Sequence, residues 1–202
     1  DAAQVSVSLI MCDRLGDLGS SDSLARSNAI IKHYKWVDIA SFLGAKAIRV
    51  NAAGEGSAKE VAANAVDGLR RLAEYAIKKE INVIVENHGG FSSNGKWLSA
   101  VIDSVNMQNV GTLPDFGNFC IENSSDGCVN EYDRYLGIAE LMPYAKGVSA
   151  KSHDFDADGQ ETKTDFAKMI QIVRDANFKG NIGIEYEGNN LSEDEGIKAT
   201  KS

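Results

Sequence analysis

Residues 82–90 read NVIVENHGG. Val83, Ile84 and Val85 are the β-branched residues of a strand covered on both faces. The stretch then ends on Glu86, Asn87, His88 and two glycines. Carrying a carboxylate, an amide and an imidazole to the end of a buried strand costs desolvation. Such a strand is expected to aim those groups at a common target.

The same form recurs along the chain. It is seen in VSVSLIMCD (5–13), AKAIRVN (45–51), INVIVEN (81–87), VGTLPDFGN (110–118), KGVSAKSHD (146–154) and GNIGIEYEG (180–188). Successive starts lie about 30–40 residues apart, the length of one βα unit. The segments between have helical spacing. Trp36, Ile39, Ala40 and Leu43 fall at i, i+3, i+4, i+7, as do Phe166, Met169, Ile170 and Val173. Val61, Ala65, Leu69, Leu72 and Ala76 predict the buried stripe of a helix that opens on the capping box Ser57-Ala-Lys-Glu60. Further helices are expected from Gly95 into Val105, and from about Glu131 to Met142, stopped before Pro143.

Strand and helix alternating without hairpin signals predict a parallel sheet covered by helices. An open doubly wound sheet would gather its polar groups at one crevice. Here Asp13, Asn51, Glu86, Asp115, the Ser149/Lys151/His153 ladder and Glu185 all end different strands, which favours an α/β (β/α) barrel with its chemistry at the C-terminal mouth. About six units are visible where a closed barrel needs eight. The expectation is therefore a single barrel domain over residues 1–202, shortened at its N-terminus, with the first two βα units before Asp1. An unclosed sheet edge would invite pairing with another copy, a homo-oligomer.

Composition narrows the partners. A 43% apolar and 25% charged chain of 202 residues can bury one substantial core. Its net charge of −8 argues against a nucleic-acid partner. No run of about 18 apolar residues suits a membrane span. The opening DAAQVSVSLIMCD has neither the basic nor the apolar region of a signal peptide. Localisation stays unknown, cytoplasmic and periplasmic or secreted being equally open. Cys120 and Cys128 lie eight residues apart in an expected loop. They are either free thiols or, in an oxidising compartment, a disulfide. Without a CxxC pair, a thiolate zinc site is not expected.

Glu86, Asp115 and Glu185 are the acids of greatest interest. Parallel strands bring their ends to one face, and three converging carboxylates repel one another unless a cation lies between them. Oxygen donors suit Mg²⁺ or Mn²⁺ better than Zn²⁺ or Co²⁺. For any one acid alone, a helix cap or a solvated rim charge is the competing reading. Glu187, two beyond Glu185, shares its face and is the alternative ligand.

Taken together, IVENHGG, LPDFGN, VSAKSHDFD and GIEYEG, in this order and spacing, resemble the xylose-isomerase-like barrel superfamily, and within it the sugar and sugar-phosphate isomerases and epimerases. The resemblance covers nearly all of the chain. It implies metal ligands Glu, Asp, His and Glu from the ends of the last four strands, which here places Glu86, Asp115 and Glu185 in the first, second and fourth positions. At the third, where the family has a His-x-Lys ending, this sequence has Ser149-Ala150-Lys151. His153 lies further along the same face and either reaches the ion or leaves Lys151 to fill the gap with positive charge.

The implied chemistry is isomerisation or epimerisation through an enediolate. Glu86 and Glu185 serve as acid and base on opposite faces of the sugar, and Lys151 stabilises the oxyanion beside the metal. His88, Asn118, Asn51 and His153 are the expected sugar contacts. Two alternatives use the same site: a lyase or hydrolase acting on keto-glycosides, and a non-catalytic sugar-binding relative. The superfamily's endonuclease branch relies on more histidines than the three present and a DNA-facing surface. Gly54-Glu-Gly56 lacks the third glycine of a dinucleotide fingerprint. Asp154-Phe-Asp156-Ala-Asp158-Gly159 follows a strand rather than a helix, so a solvated acidic loop is expected there rather than a calcium site.

Overall fold

The computed structural model describes residues 4–202. The chain divides into two compact units, the first running up to Glu86 and taking in Trp97–Thr112, the second comprising Asn87–Lys96 and Leu113–Ser202.

In the first unit, β1 (Leu9–Met11), β2 (Ala47–Val50), β3 (Asn82–Glu86) and β4 (Val110–Leu113) form a sheet in that order. β1, β2 and β3 are parallel, with Met11 beside Arg49, Arg49 beside Ile84 and Val50 beside Val85. The helices are α1 (Ser23–Leu43), α2 (Ala58–Ala76) and α3 (Gly95–Val105). α2 matches its expectation closely: Ser57 and Glu60 complete the capping box, and Val61, Ala65, Leu69, Leu72 and Ala76 are all buried.

Two expectations need correction. The first strand does not begin at Val5, which is exposed; its ladder to β2 starts at Leu9. The buried face of α1 is Ala29, Ile30, His33, Val37 and Ala40, while Trp36 is half-buried and Leu43 exposed. The helix also begins well before Trp36, opening after Asp22, whose carboxylate caps Leu24 and Ala25.

Gly68 sits inside α2 where a Cβ would collide with the Leu18 backbone carbonyl. Alanine in a helix interior ordinarily gains about 1 kcal/mol over glycine. Here Gly68→Ala is expected to lose about 1–3 kcal/mol instead, because backbone cannot yield as a side chain can. The urea midpoint checks the sign.

The second unit contains β5 (Cys120–Ser124), β6 (Gly127–Glu131), α4 (Arg134–Leu141), β7 (Val148–Ser152), α5 (Phe166–Asp175), β8 (Ile182–Tyr186) and α6 (Glu193–Lys201). β7 and β8 are parallel, pairing Ser149 with Gly183 and Lys151 with Glu185. A bridge joins Asp115, just past β4, to Ser149. The core gathers Phe116, Phe119, Ile138, Met142, Val148, Ala150, Met169 and Val173. Ile182 and Ile184 of β8 stay about two-fifths exposed, at 41% and 39%.

β5 and β6 are antiparallel, a hairpin where a loop and the start of a helix were expected. Glu131 ends β6 and pairs with Cys120, so α4 begins only after Asp133, whose side chain caps Tyr135 and Leu136. The α-helix ends at Leu141, before Pro143 as expected, and Pro143 sits within a short 3-10 segment, Met142–Tyr144. Cys120 and Cys128 form a disulfide across the hairpin, and Cys12 is the free cysteine, buried. Among the described residues no helix is long and apolar enough to cross a membrane.

Candidate functional site

Strand register decides which side chains share a face. In the first unit Met11, Arg49 and Ile84 align across three strands, so Asp13, Asn51 and Glu86, two residues further along each, continue the same face. Arg49 organises them. Its Nη1 and Nη2 reach the two oxygens of Asp13 at 2.6 and 3.3 Å. Its Nε lies 2.8 Å from Glu86 Oε2. Asn51 joins by donating to Asp13 Oδ1 at 3.1 Å and accepting from Arg49 at 3.4 Å. Arg49 and Glu86 are buried, while Asp13 is half-exposed. The planar guanidinium suits this role because it can face two carboxylates at once.

Cys12, beside this cluster, is no nucleophile. Burial pushes its thiol up to about 12, Arg49 only partly opposing the shift and Asp13 adding to it. At neutral pH it is a thiol packed in the core.

In the second unit the polar strand ends converge on Ser149. Asp115 pairs with Ser149 on one side, and the Ser149 hydroxyl donates to Glu185 Oε2 at 3.0 Å on the other. One carboxylate oxygen of Asp115 lies within 4.8 Å of one of Glu185. Asp115 is fixed from several directions. Its Oδ1 accepts from the Gly117 and Asn118 N–H groups, each at 2.9 Å. Its backbone N–H donates to Asn87 Oδ1 at 2.7 Å, and its carbonyl accepts from Asn87 Nδ2 at 2.9 Å. Asn87, the residue after β3, thus ties the chain beyond that strand to the Asp115 turn.

Lys151 is buried on this face, and its ammonium meets Asn118 Oδ1 at 3.3 Å, Glu185 Oε1 at 3.2 Å and Glu187 Oε2 at 3.2 Å. Burial pushes its pKa down, but Asp115, Glu185 and Glu187 together outweigh burial and hold it above the usual lysine range. Lys151 therefore carries its charge at neutral pH.

The remaining residues singled out in the sequence are spread along the strand ends. His88 is exposed, its backbone N–H donating to Ser92 Oγ at 2.9 Å. Asn118 lends its side-chain oxygen to Lys151 and its carbonyl to Asn87 and Ser93. His153 points its Nδ1 towards Glu161 at 3.7 Å, and its backbone N–H donates to the same carboxylate at 3.0 Å. Burial, then the charge of Lys163, lowers its pKa, so the ring is neutral at pH 7.

In the acidic loop after β7, the Asp154, Asp156 and Asp165 carboxylates accept backbone N–H groups. Asp154 accepts from Asn189 and Asn190, Asp156 from Asp158 and Gln160, and Asp165 caps α5. Arg49 and Asn87 are the principal residues that carried no role in the sequence reading. An arginine inside the apolar run AIRV was the available signal, since that side chain is rarely buried unpaired.

The family model described as Xylose isomerase-like TIM barrel matches residues 1–202. No curated protein is similar enough in sequence to match the chain. Solved structures with this fold include a D-tagatose 3-epimerase-like protein, with 16% identity and a TM-score of 0.76 over 100% of this chain and 76% of that one. The 3-keto-D-glucoside 4-epimerase YcjR from E. coli shares 16% identity, with a TM-score of 0.72 over 98% of this chain and 77% of that one. A xylose isomerase-like TIM barrel protein from Mycobacterium smegmatis, in complex with magnesium, shares 17% identity, with a TM-score of 0.70 over 96% of this chain and 70% of that one.

Proposed function

Because the chain belongs to the xylose isomerase-like TIM barrel family, we propose that it is a sugar or sugar-phosphate isomerase or epimerase, with residues 1–202 working as one domain of that fold. The observation that carries this reading is the convergence of Asp115, Ser149, Lys151 and Glu185 on adjacent strand ends, an arrangement of opposite charges at one mouth. Epimerases are among the structures that share its fold.

Glu86, Asp115 and Glu185 are the proposed oxygen ligands of a divalent cation. The donors fit. Two oxygens bound to one Mg²⁺ at about 2.0–2.1 Å stand no more than about 4.2 Å apart, and the Asp115 and Glu185 oxygens, already within 4.8 Å of each other, reach that separation by side-chain rotation. A carboxylate set suits Mg²⁺ or Mn²⁺, and a magnesium complex occurs among the related structures. Such an ion, when bound, polarises the sugar carbonyl and holds negative charge on its oxygen.

The chain's own residues do the rest. Glu86 and Glu185 take the proton from the carbon beside the carbonyl and return it, one from each face of the sugar. Lys151, charged and buried, stabilises the developing oxyanion. Asn118 and His88 bind sugar hydroxyls, with Asn51 and His153 at the outer ends of their strands. Arg49 holds the Glu86 carboxylate against β2, so the base meets the substrate in a fixed position.

The test is exchange. Ketoses, aldoses and 3-keto-glycosides, with and without phosphate, are incubated with the protein and Mg²⁺ or Mn²⁺ in heavy water. Deuterium at a carbon beside the carbonyl, together with an epimer or isomer, is the expected NMR result. Binding without exchange across the whole panel would replace the enzyme reading with that of a sugar-binding relative.

A further inference from the structure

Glu185 has both carboxylate oxygens engaged by its own chain, Oε2 by the Ser149 hydroxyl and Oε1 by the Lys151 ammonium. Lys151 is equally committed. An ammonium has three protons, and Asn118, Glu185 and Glu187 offer it three oxygens between 3.2 and 3.3 Å. The lysine stem is seated as well as its tip. A Cβ on Gly117 would come within 2.9 Å of Lys151 Cδ, so the stem lies against bare backbone that only glycine provides. Only 3% of the Lys151 side chain is exposed, and its ammonium faces acids on β8 and just past it.

From this we infer that Lys151 is a resident cation of the carboxylate cluster, and that a divalent ion binds Glu185 only by displacing it. The inference rests on the proposed reading of Glu86, Asp115 and Glu185 as ion ligands and adds what that reading leaves open, the competitor already built in. Ser149 matters in the same way. A hydroxyl at this strand position donates to Glu185, whereas a neutral imidazole with its acceptor nitrogen turned to the ion would contribute a ligand. Both residues therefore favour the chain's internal pairing over the ion. The site is expected to take Mg²⁺ or Mn²⁺ weakly and to release it readily.

Titration calorimetry of the full chain with MnCl₂ and MgCl₂ tests this, comparing wild type with Lys151→Met and Lys151→Gln. Both variants are expected to bind the ions about tenfold more tightly or better, because removing the lysine charge takes away both a repulsion on the ion and the partner of its ligand. Adding Glu185→Gln to Lys151→Met is expected to abolish the gain. Folded variants that bind no better than wild type would overturn the inference, and so would tight binding by wild type that Lys151→Met weakens. Should neither variant fold, the Lys151 side-chain NMR signals in wild type provide the same readout. They are expected to shift on Mg²⁺ titration, and signals that stay fixed while the ion binds Glu185 would overturn the displacement. These outcomes are separate from exchange into a sugar, so a protein can fail here and still prove to be an epimerase.

Discussion

Glu86→Gln is expected to lower hydrogen exchange into substrate by about 10²–10⁴-fold, the usual worth of a positioned acid or base. The substitution preserves shape while removing the ability to accept a proton from carbon. Glutamine's side-chain oxygen can still face the Arg49 guanidinium, whose Nε lies 2.8 Å from Glu86 Oε2. Arg49 also keeps its two contacts with Asp13, so the cluster does not lose its only acid. A wild-type circular dichroism spectrum alongside lost exchange would separate chemistry from folding. Exchange retained at the wild-type rate would remove Glu86 from the mechanism.

Arg49→Met is expected to destabilise the protein by about 3–5 kcal/mol, the cost of leaving a buried charge without its partner. Glu86 is fully buried beside Arg49, whereas Asp13 can turn to solvent, so most of the cost falls on Glu86. Methionine fills much of the stem's volume and keeps cavity effects small. Arg49→Lys is expected to lose less, since it retains a charge but cannot serve Asp13 and Glu86 with one rigid fork. Urea unfolding measures both. The double variant Arg49→Met/Glu86→Gln should be less destabilised than the sum of the single changes, and strict additivity would show that the two do not act as a pair.

Among the strands that carry the candidate site, β2, β3 and β7 were legible because they are buried on both faces, and β8, though largely exposed, was betrayed by its β-branched Ile182 and Ile184. β2, β3, β7 and β8 each lie within the stretch predicted for them. The hairpin was not legible for the opposite reason. β6 is exposed along its whole length and β5 ends exposed, so neither shows the apolar alternation that marks a half-buried strand. The Asp126-Gly127 pair at its turn was a usable signal, with Gly127 at φ 115°, but polar neighbours hid its meaning. For the site, composition identified the acids at the strand ends. It could not say that Arg49 would hold one of them or that Lys151 would hold another. Those pairings depend on which residues become neighbours across a ladder, and only the register settles that.

The Cys120–Cys128 bridge makes the hairpin beyond Asn118 sensitive to where the chain is made. In a glutathione-rich host the two sulfurs would remain separate, and a ribbon with little apolar backing would depend on its backbone ladder alone. Recombinant batches from reducing and oxidising hosts would then be chemically different proteins with one sequence. Comparing their activities without a thiol count would confuse the maker's redox conditions with the catalyst itself.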